Sequence, residues 1–429
     1  MQAQLNKNWK SKFFSIWLGQ AFSLLGSQIV QFTLIWYLTQ QTGSASVLAT
    51  STLVSLLPNI LLAPFIGALV DRWDRRRIMI ISDVFIAFVT LLLILLFSAN
   101  KIAIWHIYIA MFLREVGSTF HWPSMRSSTS LLVPKEQLAR VEGMNQSIRG
   151  LLNVLGPPFA ALLLGLIPIQ NILGTDIITA LIAIFPLIFV HIPKPVQETQ
   201  HEMQCAADLL DDVKIGIQYL KNWKGMLILT LTATLINFLV NPGFTLTPLL
   251  VTQHFNGNAV QLSLVESVFG IGVISGGVLL SAWGGFKKRI VTTLTSIIGM
   301  GLAILLIAIA PANLFNPALA GMLMAGFMNP IANGSITAIM QTNVKPEMQG
   351  RVFTTLNSLA NAMSPISMLI AAPVAELVGI QGWFYIGGIG CILLGLLGFT
   401  NSHLMEIEQE GLRRQQAEKN YSLTTSLEK

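Results

Sequence analysis

Charge is scarce in this chain of 429 residues: only 11% are Asp, Glu, Lys or Arg, against roughly 25% in an ordinary soluble domain. So little charge cannot clothe a water-facing surface of this size. Cysteine is nearly absent as well. Cys205 falls in a polar segment and Cys391 in an apolar run, which gives neither a disulfide framework nor a metal site. There is no GxxxxGK[ST] loop, hence no visible machinery for ATP-driven work. Nor does any nucleophile/His/Asp constellation, metal-ligand spacing or appended domain suggest an enzyme or a resident cofactor.

What the chain has instead is apolar length: 53% of its residues are apolar and the mean hydropathy is +0.65. Twelve apolar runs recur, at about 13–39, 45–70, 78–98, 102–128, 143–167, 171–190, 225–250, 262–283, 290–310, 317–341, 352–378 and 382–401. Each is long enough to cross a ~30 Å hydrocarbon core as a helix. The runs are continuous, whereas barrel strands would alternate over ~10 residues. An all-α, polytopic membrane protein of twelve transmembrane helices is therefore expected. The first run exceeds a signal peptide's apolar core and no small-residue cleavage site follows it, so it is read as a retained span.

The basic residues set the topology. With the N-terminus inside, all but Lys101, Arg114 and Arg149 of the 26 lysines and arginines fall in segments on one side. By the positive-inside rule both termini are expected in the cytoplasm. The sequence pI near 9.4 thus reports topology, not a nucleic-acid partner.

The longest polar insertion divides the chain into residues 1–190, 191–222, 223–401 and a tail, 402–429. Within it Leu209, Val213, Ile217 and Leu220 fall on one helical stripe with Asp211, Asp212 and Lys214 off it, as in a helix lying along the inner interface; a solvated linker is the competing reading. The two long segments look like copies. "PKEQLARV" (Pro134–Val141) resembles "KPEMQGRV" (Lys345–Val352), and Gly67 and Trp73 match Gly277 and Trp283, both at a separation of about 210 residues. Two pseudo-symmetric, parallel six-helix bundles imply a secondary transporter, whose cavity lies between the halves near the midplane and opens alternately as they rock. Nothing in the sequence marks an obligate oligomer.

The stretch "GALVDRWDRRR", Gly67 to Arg77, resembles the signature loop G-x-L-x-D-R-x-G-R-R/K of the major facilitator superfamily, with Asp74 in place of its second glycine. The resemblance implies a conformational latch built from Gly67, Asp71, Arg72, Arg75 and Arg76, with Asp71 at the start of span eleven. Asp83, close by in span three, is assigned to the same charge network. Simple topogenic charge is the alternative. "LREVGSTFHWPSM" in span four resembles the superfamily's arginine motif. Gly156-Pro157-Pro158-Phe159-Ala160-Ala161 in span five resembles its antiporter motif G-P-x-x-G-G, with alanines for the closing glycines. Along its full length, most densely from Asn8 to Leu48 and again in "LLVPKEQL" (Leu131–Leu138), the chain resembles the macrolide-efflux branch of this superfamily. That implies proton-coupled export of macrolide-like lipophilic drugs from a bacterial cytoplasmic membrane.

Ionisable groups inside spans are costly, so each needs a reason. Arg114 and Glu115 in span four point about 100° apart and do not pair with each other; Arg114 shares a face with Ser118, His121 and Met125, and Glu115 with Thr119 and Trp122. Glu115, Glu266, Asp176 and Arg114 are the candidates for proton coupling, since a carboxyl group moved between wet and dry surroundings can trade a proton. A structural tie for Arg114 and helix-start positions for Glu266 and Asp176 are the competing explanations. Arg149 reads as a cation reaching for the membrane surface. The substrate cavity is expected to draw on Gln20, Ser23, Ser27 and Gln31 of span one, Ser118, His121, Trp122 and Met125 of span four, Asn237 and Asn241 of span seven, and Asn329 and Asn333 of span ten. Neutral amides, Met and Trp suit a large, weakly polar ligand; interhelical hydrogen bonding would use the same residues. Lysophospholipid or siderophore cargo on the same fold, and a non-transporting scaffold, are the rival readings.

Overall fold

The computed structural model describes residues 9–134, 137–190, 206–414 and 416. Every regular element among them is helical. They are α1 (Trp9–Thr42), α2 (Ala45–Arg72), α3 (Arg75–Ser98), α4 (Ile104–Leu132), α5 (Leu138–Leu166), α6 (Ile169–Phe189), α7 (Ala206–Lys221), α8 (Lys224–Leu249), α9 (Ala259–Trp283), α10 (Arg289–Ala308), α11 (Asn316–Asn343), α12 (Pro346–Val378), α13 (Ile380–Thr400) and the short α14 (Ser402–Met405). A π-helical turn, Leu250–His254, continues α8.

Every apolar run of the sequence has become a helix. Ten of these helices are long and apolar enough to cross a bilayer by length and composition. Of the long helices, α4 and α11 fall short of that measure, because they carry the polar residues: Arg114, Glu115 and His121 on one, a series of asparagines on the other. For these two, spanning rests on their lengths of 29 and 28 residues.

The exposure pattern is that of a protein solvated by lipid. On α6, Leu181, Phe185 and Phe189 are exposed, the last by 72%, while Asp176 on the opposite face is 2% exposed. In water this distribution would be inverted. Lipid supplies no hydrogen bonds, so polar side chains turn inward to find partners. The chain is a multi-pass membrane protein.

The helices gather into two compact units. One takes the chain as far as Ala207 together with 251–253 and 257–267; the other takes Asp208–Leu250, 254–256 and the chain from Val268. Within the first unit α1 packs on α5 and α6, α3 on α4 and α6, and α2 on α4. Within the second, α8 packs on α12 and α13, and α10 on α11 and α13. There α9 meets α11 through glycines: a Cβ on Gly272 would lie 2.3 Å from the Leu323 carbonyl oxygen, and one on Gly326 2.2 Å from that of Phe269. The second set of pairings repeats the first, displaced by seven helices in the numbering. The amphipathic α7 belongs to the second unit from Asp208 on: its Gly216 touches Thr355 of α12 and its Leu220 is buried. The surroundings of Leu209 and Val213 lie outside the described residues.

Candidate functional site

The polar groups of the first unit line up on a seam between α1, α3, α4 and α6. Residues seven apart on a helix return to nearly the same face two turns, or ~10 Å, along it. Gln20 and Ser27 on α1, Asp83 and Thr90 on α3, and His121 and Arg114 on α4 are three such pairs. They form two polar layers.

In the outer of these layers the Arg114 guanidinium pairs with Asp176 of α6 and also donates to Thr90. The Thr90 hydroxyl donates to Asp176 Oδ2 at 2.8 Å and the Ser27 hydroxyl to Oδ1 at 3.2 Å. Three helices thus converge on one carboxylate, and its charge is compensated by a cation that does not lose its proton. Close helix approach makes this possible, since a Cβ on Gly26 would lie 2.1 Å from Thr179 Oγ1.

Two turns along the seam, Asp83 takes a hydrogen bond from the Gln20 side-chain amide, 3.3 Å to Oδ2, and its Oδ1 lies 3.5 Å from His121 Nε2. Beyond this layer, towards the start of α3, an apolar cluster of Ile16, Met79, Met125 and Leu187 closes the seam. Gln20, His121 and Met125, expected to line a substrate cavity, are instead buried among helices of their own bundle. The reason is helical register: the face of α4 that carries Arg114 inward carries His121 and Met125 with it, and the face of α1 that carries Ser27 carries Gln20. Asp83, assigned from sequence to the latch, likewise has its partners deeper in the bundle.

Ser118, one turn from Arg114 and expected on its face, is exposed, and on the other face Glu115 and Trp122 are partly accessible while Thr119 is buried. The partly accessible Arg149 of α5 lays its guanidinium over the Trp122 ring, 3.2 Å from the centroid, a cation–π contact. Ser23 and Gln31 of α1 are partly accessible. In the second unit Asn237 and Asn241 of α8 and Asn329 of α11 are partly accessible and Asn333 is exposed. The Asn237 and Asn333 amides donate to backbone carbonyls one turn back, which keeps their oxygens available. Among the described residues neither the Glu115 nor the Glu266 carboxylate takes a hydrogen bond or ion pair.

At the antiporter-like motif, Gly156 lets α5 approach α1: a Cβ there would lie 3.2 Å from Gln28 Cβ. Pro157 and Pro158 sit inside α5 and deny hydrogen bonds to the carbonyls four residues earlier. One of these, Val154, accepts the Ser267 hydroxyl at 2.9 Å, within the first unit. In the signature loop only Trp73 and Asp74 separate α2 from α3. Asp74 has extended backbone, φ −70° and ψ 107°, and caps α3 by accepting from the N–H groups of Arg76 and Arg77. Glycine's conformational freedom is not needed there. The Arg76 side chain donates to the Leu187 and Ile188 carbonyls at the end of α6, and Arg75 is buried. The surroundings of Gly67, Asp71 and Arg72 lie outside the described residues, as does the expected contact of Asp71.

The second unit holds a small apolar pocket lined by Phe244 of α8, Met300 of α10, Met322 of α11, and Trp383 and Phe384 of α13.

Sequence reasoning passed over Thr90 and the acceptor role of Val154. Thr90 had a signal, its 7-residue spacing from Asp83. The Val154 carbonyl had one too, the proline four residues on.

Comparison with known proteins adds a separate kind of observation. The sequence profile of the Major Facilitator Superfamily matches residues 16–360 and 226–423. Macrolide efflux protein A of Streptococcus pyogenes is 35% identical over 390 residues, which is 91% of this chain and 96% of that protein. The multidrug efflux pump Tap of Mycobacterium tuberculosis is 26% identical over 407 residues, 89% of this chain and 91% of the pump. Among solved structures, a bacterial homologue of the human lysosomal transporter Spinster, inward-facing and unoccupied, superposes with a TM-score of 0.66 at 11% identity, covering 95% of this chain and 98% of that one.

Proposed function

The chain belongs to the major facilitator superfamily, and from that premise we propose that it exports lipophilic, macrolide-type drugs from a bacterium by proton antiport with alternating access. It is a membrane transporter, not an enzyme. The observation that carries the cargo class is the 35% identity to a macrolide efflux protein over nine-tenths of both chains. Likeness of that extent spans most of the chain, not one motif.

The chemistry of the accessible residues supports this reading. Ser23, Gln31, Ser118, Trp122, Asn237, Asn241, Asn329 and Asn333 offer neutral hydrogen bonding and aromatic surface, which suits a large, weakly polar ligand. An anionic lysophospholipid or siderophore would call for cations in the cavity. Arg114, a buried cation of the first unit, is committed to Asp176, which disfavours that rival. On the same reading the one-sided basic residues put both termini in the cytoplasm of a bacterial membrane, the two six-helix sets act as repeats, and Arg75 and Arg76 act in the latch.

Proton antiport is energetically sufficient. At a membrane potential of about 150 mV one entering proton contributes ~3.5 kcal/mol, and each pH unit adds ~1.4. Together these sustain roughly a thousandfold gradient of a neutral drug. A monocationic macrolide exchanged one for one moves no net charge, leaving only the ~tenfold term of each pH unit. Useful pumping of such a drug therefore requires more than one proton or carriage of the neutral form.

A susceptibility panel in an efflux-deficient bacterial host tests the reading. Raised resistance to macrolides, lost when a protonophore collapses the proton gradient, is the expected result. Unchanged susceptibility across the panel, with the protein present in the membrane, would refute it.

A further inference from the structure

The two polar layers of the first unit differ in one respect that matters for a proton-driven machine. In the outer layer the charge of Asp176 is answered by Arg114, which remains protonated whatever the compartment. In the inner layer Asp83 has a histidine and an amide. A carboxylate and an imidazole together are electrically neutral only while they hold one proton between them, either on the acid or as an imidazolium beside a carboxylate. Without it the pair is an uncompensated anion, and with a second proton an uncompensated cation. Both are costly where water is excluded. The side chains here are 4% and 10% exposed, so that cost applies in full.

Two further details mark the same spot. His121 Nε2 is buried and lies 3.5 Å from Asp83 Oδ1 without hydrogen-bond geometry, and the buried Gln20 Oε1 has no hydrogen-bond partner. Orphaned buried polar atoms are uncommon. Here two of them flank one carboxylate. A proton on Asp83 offers His121 Nε2 a donor, because a protonated carboxyl group donates where a carboxylate can only accept, and the Gln20 amide, which here donates to Oδ2, would reach it with its oxygen by turning over.

Among the described residues no other charged side chain is in hydrogen-bond or ion-pair contact with Asp83 or His121. On α1 the charged residues are Lys10 and Lys12, more than two turns before Gln20. On α2 nothing ionisable precedes Asp71, and on α6 Asp176 is the single ionisable residue. On α3 the arginines 75–77 stand at the helix start, where Arg76 is bonded to the end of α6. On α4, Arg114 is two turns away and already paired, Glu115 points about 100° from it, and Arg126 is exposed next to Glu142. Tyr37, His106 and Tyr108 sit towards the opposite end of the unit. The cluster of Ile16, Met79, Met125 and Leu187 closes the near end of the seam. Parting it would wet the pair from that side.

We propose that Asp83 and His121 form a proton-binding site that carries the coupling proton, while Arg114 and Asp176 remain a fixed ion pair on the same seam. The proposal rests on the proton-driven reading of transport and adds to it the place where the proton sits.

The test uses the full-length protein in proteoliposomes with radiolabelled erythromycin as the probe, in two arms: accumulation driven by an imposed pH gradient, and drug exchange with no gradient. The wild type is expected to do both. Asp83→Asn is expected to keep exchange and to lose accumulation, the steady-state ratio falling from about tenfold per imposed pH unit to about one. Gradient-driven accumulation by D83N would overturn the assignment and leave proton-driven export standing. A wild type that exchanges the drug but never couples it to the gradient would refute the proton-driven reading itself, and the proposal with it. Should D83N fail to fold, the wild type alone decides. With six histidines in the chain, ring resonances are few, and His121→Gln identifies the one at issue. A His121 resonance that shifts between about pH 5 and 8 supports the site, and one that stays fixed overturns it.

Discussion

Arg114 and Asp176, 62 residues apart in sequence, neutralise each other inside the first unit, with Thr90 and Ser27 completing the carboxylate's hydrogen bonds. A buried pair of this kind contributes little net stability by existing. It becomes expensive when halved, because the remaining charge has no partner.

Arg114→Met and Asp176→Leu are therefore each expected to destabilise the detergent-solubilised protein by about 3 kcal/mol or more. A charge-free double variant, Arg114→Met with Asp176→Leu, is expected to lose much less than the sum of the single changes. Thermal unfolding of the four proteins measures the coupling. Additive losses would show that the two charges do not rely on each other.

The signature loop offers a milder test. Asp74 caps α3, so Asp74→Ala is expected to cost about 1 kcal/mol, whereas Asp74→Gly, which restores the family's residue, costs only a few tenths. Thermal midpoints measured side by side decide it. A glycine variant as damaged as the alanine one would mean that Asp74 works through something other than its cap.

How much of this could be read from the chain? The long helices could, because twenty apolar residues in a row leave a membrane protein few alternatives: the run at 225–250 became Lys224–Leu249, and that at 78–98 became Arg75–Ser98. Which intramembrane residues deserved attention was also legible, since polar groups in lipid must find partners. The partners themselves were not. Asp83 was grouped with the arginines near it in sequence, yet it bonds Gln20, 63 residues away, because helix packing and not proximity along the chain chooses its neighbours. The 7-residue spacing shared by Gln20 and Ser27, Asp83 and Thr90, and Arg114 and His121 was visible all along. Only the packing of α1, α3, α4 and α6 showed that the three spacings belong to one seam.

Adjacent glycines on α9 should respond oppositely to the same change. A Cβ on Gly276 would lie 2.1 Å from the Phe327 carbonyl oxygen, a backbone atom that cannot step aside, while Gly277 has nothing within 4 Å. Gly276→Ala is expected to force α9 from α11 and cost at least 1–3 kcal/mol, roughly the penalty of overpacking. Gly277→Ala is expected to be neutral or slightly stabilising, since alanine favours a helix over glycine by about 1 kcal/mol. Yield and melting temperature in detergent separate the two; equal effects would place the contact elsewhere.

Ser267 answers a carbonyl that Pro158 has released. Ser267→Ala is expected to cost about 0.6 to 1.7 kcal/mol, the range of interhelical hydrogen bonds in membranes. In a Pro158→Ala background α5 regains its own N–H for the Val154 carbonyl, and the serine's loss is expected to shrink. A double-mutant cycle reads the difference. An unchanged serine effect would mean that the proline and the hydroxyl are unrelated.

The central claim is that this chain exports macrolide-type drugs at the expense of a proton gradient. Uptake of radiolabelled erythromycin into inside-out membrane vesicles, energised by respiration and carrying the full-length protein, tests it most directly. Accumulation well above that of vesicles lacking the protein, abolished by a protonophore, is the expected result. Uptake equal to the control, with the protein present and folded, would contradict it.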